Sequence, residues 1–421
     1  MTDSEIFVGL GLLLGLAVGC QIVATRLRLP AIVLLLPAGY VAGRLTNNID
    51  PDRLFGDTFT PMVSLGVAVI LFESGLDLDV RGLQGHGHRV VQRLVLRGSL
   101  ITWAGGALMA SLLLGLSADA AIMLGVILVV SGPTVVTPIL EIVRPGQRVS
   151  TILGWESATI DPIGAMLAAL VFHAINTDVS LQPGHELLEL AGFVGLGLLG
   201  GAVGTGLLWF LLEKLRLEGV LATEAILATV VAVAAVCNIF ADETGLIAAV
   251  VMGAGVANLP GIASPEDRPF FRTIVKLTVG LLFVSISATV THSSIRDVLW
   301  PTLGLVAGLV LVVRPLVAAL ATLRTSVSAA ERVFIGAIAP RGIVAASTAA
   351  TFAGPLTEAG ISGADHLLPA TFIVIVATVT LYGVGAVPMA RLLGLAGAEP
   401  VASDAPAPAP PGGGSRDRRG R

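Results

Sequence analysis

Apolar residues in this chain do not mark one face of an amphipathic helix. They run on for whole bilayer thicknesses, and polar residues cluster between the runs. Thirteen runs are bounded by charge, proline or glycine: about 5–25, 30–43, 60–76, 98–117, 119–140, 149–175, 186–212, 219–240, 243–261, 277–292, 297–323, 333–353 and 366–390. Each predicts a membrane-crossing helix, with 30–43 short for the task. We number them spans 1 to 13. From about Ala396 the pattern stops. Ala-Pro repeats and a glycine run build no core. The expected division is therefore a transmembrane domain over 1–395 and a disordered cytoplasmic tail over 396–421. The tail ends in arginines that are solvated or weakly drawn to anionic lipid.

Composition agrees with an all-α polytopic membrane protein. The chain is 54% hydrophobic and 13% charged, against about 25% charged in a soluble domain. Its 50 glycines suit helices packed closely in lipid. Cys20 and Cys237 lie inside apolar runs and read as small buried hydrophobes, without a disulfide framework or metal set. Met1 to Glu5 carries acids and neither Lys nor Arg, so no cleaved signal is expected.

The position of charge says more than its sum. Loops after odd-numbered spans, with Arg391 after the last, hold 16 Lys and Arg residues; loops after even-numbered spans hold 3. Positive residues stay in the cytoplasm. The N-terminus is therefore expected outside and the C-terminus in the cytoplasm, in a multi-pass protein of the plasma membrane (the inner membrane of a bacterium).

Five ionisable residues lie well inside spans: Glu73, Glu156, Asp161, Arg314 and Arg341. At that depth they pair with one another or line a wet cavity, and each is a functional candidate. Ser157 and Asp161 are four residues apart and share a helix face. Glu156 lies about 140° round the helix from Asp161, so the two carboxylates do not form one site. Asp161 and Ser157 offer oxygens to a ligand. A single carboxylate with oxygen partners suits a hard monovalent cation or a proton better than a transition metal. Glu156 needs a cation of its own.

Two spans are interrupted. Span 5 carries Ser131-Gly132-Pro133-Thr134 with Pro138 beyond it, and span 12 carries Pro340-Arg341-Gly342. Proline and glycine free backbone carbonyls at mid-depth. The breaks lie seven spans apart, so two six-span halves would insert upside-down relative to each other. Paired broken helices in inverted halves point to a transporter site at the midplane. Arg341 is the natural partner for Glu156 and could also donate to freed carbonyls. Arg314, before Pro315, fits a similar task elsewhere or snorkels to the cytoplasm. Glu73 is a second ion ligand, a group on the ion's approach path, or an interfacial acid.

Gly195-x-Gly197-x-x-Gly200 matches a dinucleotide fingerprint in letters but not in context, lying inside an apolar span with no strand before it. Gly197 and Gly201 read instead as close-packing residues. No cofactor and no nucleic-acid partner is expected. An enzyme is not expected either, since neither a nucleophile–base pair nor a metal cluster is apparent.

With these residues in view, the sequence resembles sodium/proton exchangers of the NhaP type, relatives of the eukaryotic sodium/hydrogen exchangers. The resemblance rests on Leu71-Phe72-Glu73-Ser74-Gly75-Leu76, Ser131-Gly132-Pro133, Glu156-Ser157 followed by Asp161, Thr244–Ala248, Phe283–Ala288 and Arg341–Ala345. It implies the antiporter fold of about thirteen helices with two discontinuous ones. It implies that Asp161 alternately holds cation and proton, with Ser157, Glu73 and a carbonyl near Ser131 completing the shell. It makes Glu156 and Arg341 a structural ion pair. It also implies a homodimer whose mobile core moves past a scaffold. Two positions depart from the pattern: Ile160 stands where the family has Asn, and Gly132 where it has an acid. Ile160 carries no proton, which argues for electroneutral exchange.

The expected function is exchange of Na+ or Li+ for H+, serving pH homeostasis. Burial disfavours the bare Asp161 anion, so its carboxyl stays protonatable, and cation binding needs the ionised form. A K+/H+ antiporter of the same fold is the alternative, and a passive cation channel or sensor is a third reading.

Overall fold

The structure is a computed structural model of the chain and describes residues 3–27, 29–46, 51–76, 78, 86–176, 183–259 and 268–397. Among these residues every regular element is a helix. Nine helices are long and apolar enough to cross a membrane: Ser4–Leu27, Phe59–Leu76, Gly87–Leu114, Gln147–Ile175, Ala191–Lys214, Gly219–Phe240, Phe271–Ala288, His292–Ala321 and Ala364–Leu392. They correspond to spans 1, 3, 4, 6, 7, 8, 10, 11 and 13. Span 2 is the helix Ile32–Leu45, span 9 is Thr244–Asn258, and spans 5 and 12 are each two short helices. The predicted tail lies outside the described residues from 398 on.

The helices form two packed groups. Spans 1, 2, 3, 7, 8, 9 and 10 pack mainly on one another, as do spans 4, 5, 6, 11, 12 and 13. Thinner seams join the groups, where span 6 meets spans 3 and 9, span 12 meets spans 3 and 10, and span 13 meets span 2. Small residues make the tight contacts inside the first group. A methyl built on Gly197 would lie 2.6 Å from Ile247 Cβ, and one on Gly201 2.5 Å from Val251 Cβ. Gly197, of the false fingerprint, and its neighbour Gly201 thus let span 7 approach span 9, with van der Waals contact as the driving force.

Spans 5 and 12 break where proline and glycine predict. The first half of span 5, Ala118–Ile127, stops before the second half, Pro133–Val143. Proline pushes its predecessor out of the helical region, and Gly132 is extended, with φ −73° and ψ 138°. Pro133, lacking an N–H, then opens the next helix. Span 12 likewise comprises Ala329–Ala337 and Ile343–Glu358, separated by residues 338–342 with Pro340 inside. Span 11 does not break at Pro315. It widens into a π turn over Leu309–Val313 and continues as Arg314–Ala321. Such a turn accommodates a missing N–H without ending the helix.

Candidate cation site

The two broken stretches cross at Gly132 and Gly342. A methyl on Gly342 would lie 2.9 Å from the Gly132 Cα, and one on Gly132 would lie 3.1 Å from the Gly342 Cα. Only residues without a side chain allow the two backbones this close. The same point beside Gly132 lies 3.2 Å from Thr134 Oγ1 and 3.3 Å from Asp161 Oδ2. Asp161 is 0% exposed. Neither of its oxygens, nor Thr134 Oγ1, has a hydrogen-bond partner among the described residues. Leaving such groups unsatisfied in a packed interior is costly, and native structures do it rarely and for a reason. Ser157 is buried one turn before Asp161, and its hydroxyl donates to the Gly154 carbonyl at 3.0 Å. Its oxygen lone pairs stay available to accept or coordinate.

A cavity of about 980 Å³ lies between the two helix groups and reaches Pro133 and Thr134, next to the crossing. Its wall includes Pro133 and Thr134 on the core side and Ile70, Glu73 and Ser74 on the other, and it is lined by Arg144, Arg272, Lys276 and Arg391, all from the Lys- and Arg-rich side of the chain. Glu73 lies 3.6 Å from Arg272. It therefore lines the cavity with a cation already facing it. At another seam between the groups, Tyr40 Oη and His292 Nδ1 are 3.0 Å apart and link span 2 to span 11. The Ser131 side chain is not on the large cavity. It lines a separate void of about 10 Å³ with Glu156, Ile160, Arg314 and Arg341.

Glu156 is not paired with Arg341, contrary to the sequence expectation. Its partner is Arg314, which holds it with both terminal nitrogens: Nη1 to Oε1, and Nη2 to Oε2 at 2.9 Å. This is the bidentate geometry for which guanidinium is suited. Arg314 also donates to the carbonyls of Ile335 (3.2 Å) and Ile338 (2.9 Å), at the end of the first half of span 12. Arg341 instead reaches across the crossing and donates to the carbonyls of Val129 and Val130, each at 3.1 Å. Each broken helix leaves carbonyls at its first C-terminus, where the helix dipole is negative. There are two such ends, and one arginine covers each. Arg341 is committed to span 5, and Arg314 is the cation that Glu156 can reach.

Of the residues named from sequence, Asp161, Thr134, Gly132 and Gly342 come together at the crossing, with Ser157 one turn away. Glu73 lines the large cavity, and Pro133 and Pro340 make the breaks. Sequence reasoning had not given Thr134 a ligand role. A hydroxyl directly after a helix-breaking proline is the signal that could have done so. It also missed Thr378, whose hydroxyl accepts from the freed Arg341 backbone N–H at 3.3 Å. A threonine in an apolar helix carries no such signal.

Known proteins share this architecture. The sequence profile described as "Sodium/hydrogen exchanger, transmembrane" matches residues 12–392. The "K(+)/H(+) antiporter NhaP2" of Shewanella sp. (strain ANA-3) is 26% identical over 374 residues, covering 88% of this chain and 64% of that protein. The "K(+)/H(+) antiporter NhaP" of Alkalimonas amylolytica is 25% identical over 406 residues, covering 92% of this chain and 66% of that protein. The chain thus spans about two thirds of the length of these relatives. The solved structure of the sodium proton antiporter MjNhaP1 from Methanocaldococcus jannaschii at pH 8 superposes with a TM-score of 0.79 at 21% identity, covering 93% of this chain and all of that one. The same fold is thus reached with few shared residues, and the broken-helix crossing sits within the matched region. With a profile match across nearly the whole membrane part, this chain belongs to the sodium/hydrogen exchanger family.

Proposed function

We propose that this protein exchanges a monovalent cation for H+ across the membrane, with the two competing for Asp161. One observation carries the reading: a fully buried carboxylate whose two oxygens have no hydrogen-bond partner among the described residues, beside the crossing of two broken helices and near a cavity that reaches Thr134. A bare carboxylate there is costly, and either a proton or a cation removes the cost. Thr134 Oγ1, the Ser157 hydroxyl and nearby backbone carbonyls supply the neutral oxygens that a dehydrated alkali ion needs. Both occupied forms are electrically compensated and can move, whereas the bare anion resists movement. That asymmetry couples the two fluxes. With Ile160 beside Asp161, one carboxylate handles one ion at a time, which favours electroneutral exchange.

Na+ or Li+ is our first reading for the cation. K+ is the second, favoured by the names of the NhaP2 and NhaP relatives. The reading includes an N-terminus outside, a C-terminus in the cytoplasm, a bacterial inner membrane, and a homodimer formed through the group that contains spans 7 and 8. It includes a membrane domain ending near residue 395.

The test uses everted vesicles carrying a proton gradient, to which Na+, Li+ or K+ is added while internal pH is followed. The wild type should alkalinise the lumen with one of these ions. Asp161→Asn should fall to background without a lower melting temperature, because the change removes a buried charge. Competition also predicts that, below the carboxyl's own titration, half-saturating cation rises about tenfold per pH unit lowered. Retained exchange in Asp161→Asn would sink the mechanism, and ionic current without proton coupling would mark a channel.

A further inference from the structure

The cavity that reaches Thr134 is read as a path for a cation, yet its wall is more basic than acidic. Four basic residues, Arg144, Arg272, Lys276 and Arg391, meet two carboxylates, Glu73 and Glu141. Arg272 faces Glu73. Among the described residues, no carboxylate lies within ion-pair distance of Arg144, Lys276 or Arg391. The Arg144 guanidinium donates to the Glu141 backbone carbonyl, at 3.4 Å. Like charges along a channel wall lower the local concentration of cations, so these three work against the substrate unless something balances them.

Their placement says what would balance them. Arg144 follows the second half of span 5 in a left-handed backbone, φ 50°, and Arg391 lies in the last turn of span 13. Both belong to the core group. Lys276 stands one turn from Arg272 on span 10, in the other group. Elsewhere the wall mixes apolar side chains, among them Leu29, Ile32, Ile142 and Val387, with neutral polar ones such as Gln21, Thr25 and Thr137. A pocket basic in one part, apolar in another and set between helices on the Lys- and Arg-rich side matches the chemistry of an anionic amphiphile. A small hydrated cation gains nothing from such a wall.

We propose that this vestibule binds a phosphate-bearing anion, the headgroup of an acidic phospholipid, which bridges Arg144 and Arg391 on the core to Lys276 on the scaffold. Because the three cations come from both helix groups, the bound phosphate ties them together with the cavity open and slows the exchange cycle. The regulatory part rests on the antiport reading, whereas the binding part does not. Free phosphate offers the same chemistry without the acyl chains, and the experiment separates the two sources.

The full chain is purified as wild type and as the double variant Lys276→Gln with Arg391→Gln. Retention of phosphatidylglycerol is measured by mass spectrometry. Cation-driven proton exchange is then followed at saturating cation in vesicles of phosphatidylcholine, of phosphatidylcholine with phosphatidylglycerol, and of phosphatidylcholine with inorganic phosphate. Each protein is compared with itself in neutral lipid. At about fivefold per basic side chain, the double variant should retain phosphatidylglycerol about 25-fold more weakly. Phosphatidylglycerol should slow the wild type and not the variant. Slowing by inorganic phosphate as well would assign the site to phosphate at large, and slowing by the lipid alone would assign it to the headgroup in place. Equal retention of phosphatidylglycerol by the two proteins, or equal slowing of wild type and variant by it, would overturn the proposal. If neither protein exchanges ions in any vesicle, the antiport reading fails, and retention alone decides whether the site exists.

Discussion

Glu156 and Asp161 lie five residues apart on one helix, at 2% and 0% exposure, and their surroundings treat them in opposite ways. Glu156 is held on both oxygens by Arg314, which in turn covers the carbonyls of a broken helix end. Asp161 has no partner on either oxygen among the described residues. The first arrangement satisfies every charge and so resists change. The second leaves a buried carboxylate without a hydrogen-bond partner, and the proposed exchange rests on that difference. Burial is common to both residues, so it is the missing partner that singles out Asp161.

The comparison can be broken most strongly at the satisfied carboxylate. Glu156→Gln leaves the Arg314 guanidinium buried without its counter-charge, a loss of about 3–5 kcal/mol. A large fall in melting temperature in detergent should follow, with any protein that still folds keeping its cation preference. An unchanged melt would show that Arg314 is adequately held by the Ile335 and Ile338 carbonyls alone.

A middle-sized effect is expected at the unsatisfied site. Thr134→Val keeps the shape and removes an unpartnered buried hydroxyl. Half-saturating cation should rise about tenfold, roughly the 1.4 kcal/mol of one good polar contact, while the melt stays level or rises. If half-saturation does not move, Thr134 lies outside the ion's shell and the convergence beside Gly132 has another cause.

The smallest effect should come from between the two faces. Ile160 lines the void of about 10 Å³ with Glu156, Arg314 and Arg341, room for about one water. Ile160→Asn puts an amide among groups that can bond it, so stability should change by less than about 1 kcal/mol. An amide carries no proton, so exchange should stay electroneutral, as read from its insensitivity to membrane voltage. Voltage-dependent exchange in this variant would show that position 160 sets stoichiometry by something other than proton capacity.

Much of this was legible in the chain. The thirteen spans appear in the all-helical fold, including the short Ile32–Leu45 and the separate Thr244–Asn258. Pro133 and Pro340 marked the two breaks because a missing N–H and a ring clash are local facts. The face separating Ser157 and Asp161 from Glu156 follows from helix geometry. The partner of Glu156 was not legible. Arg314 and Arg341 are both arginines in apolar runs next to proline, 158 and 185 residues away in the chain, and no local pattern ranks one above the other.

What the sequence alone determined is therefore what depends on neighbours along the chain: helices from apolar runs, breaks from proline and glycine, and the angular position of Asp161 on its helix. Only the tertiary structure decided what depends on neighbours across it. It gave Arg314 to Glu156 and Arg341 to the Val129 and Val130 carbonyls, and it brought Gly132 against Gly342. It set the Thr134 hydroxyl and an Asp161 oxygen beside Gly132 and gathered cations without carboxylate partners around the vestibule. Hydrogen bonds and ion pairs act over a few ångströms, and only the packing of thirteen spans determines which groups come that close.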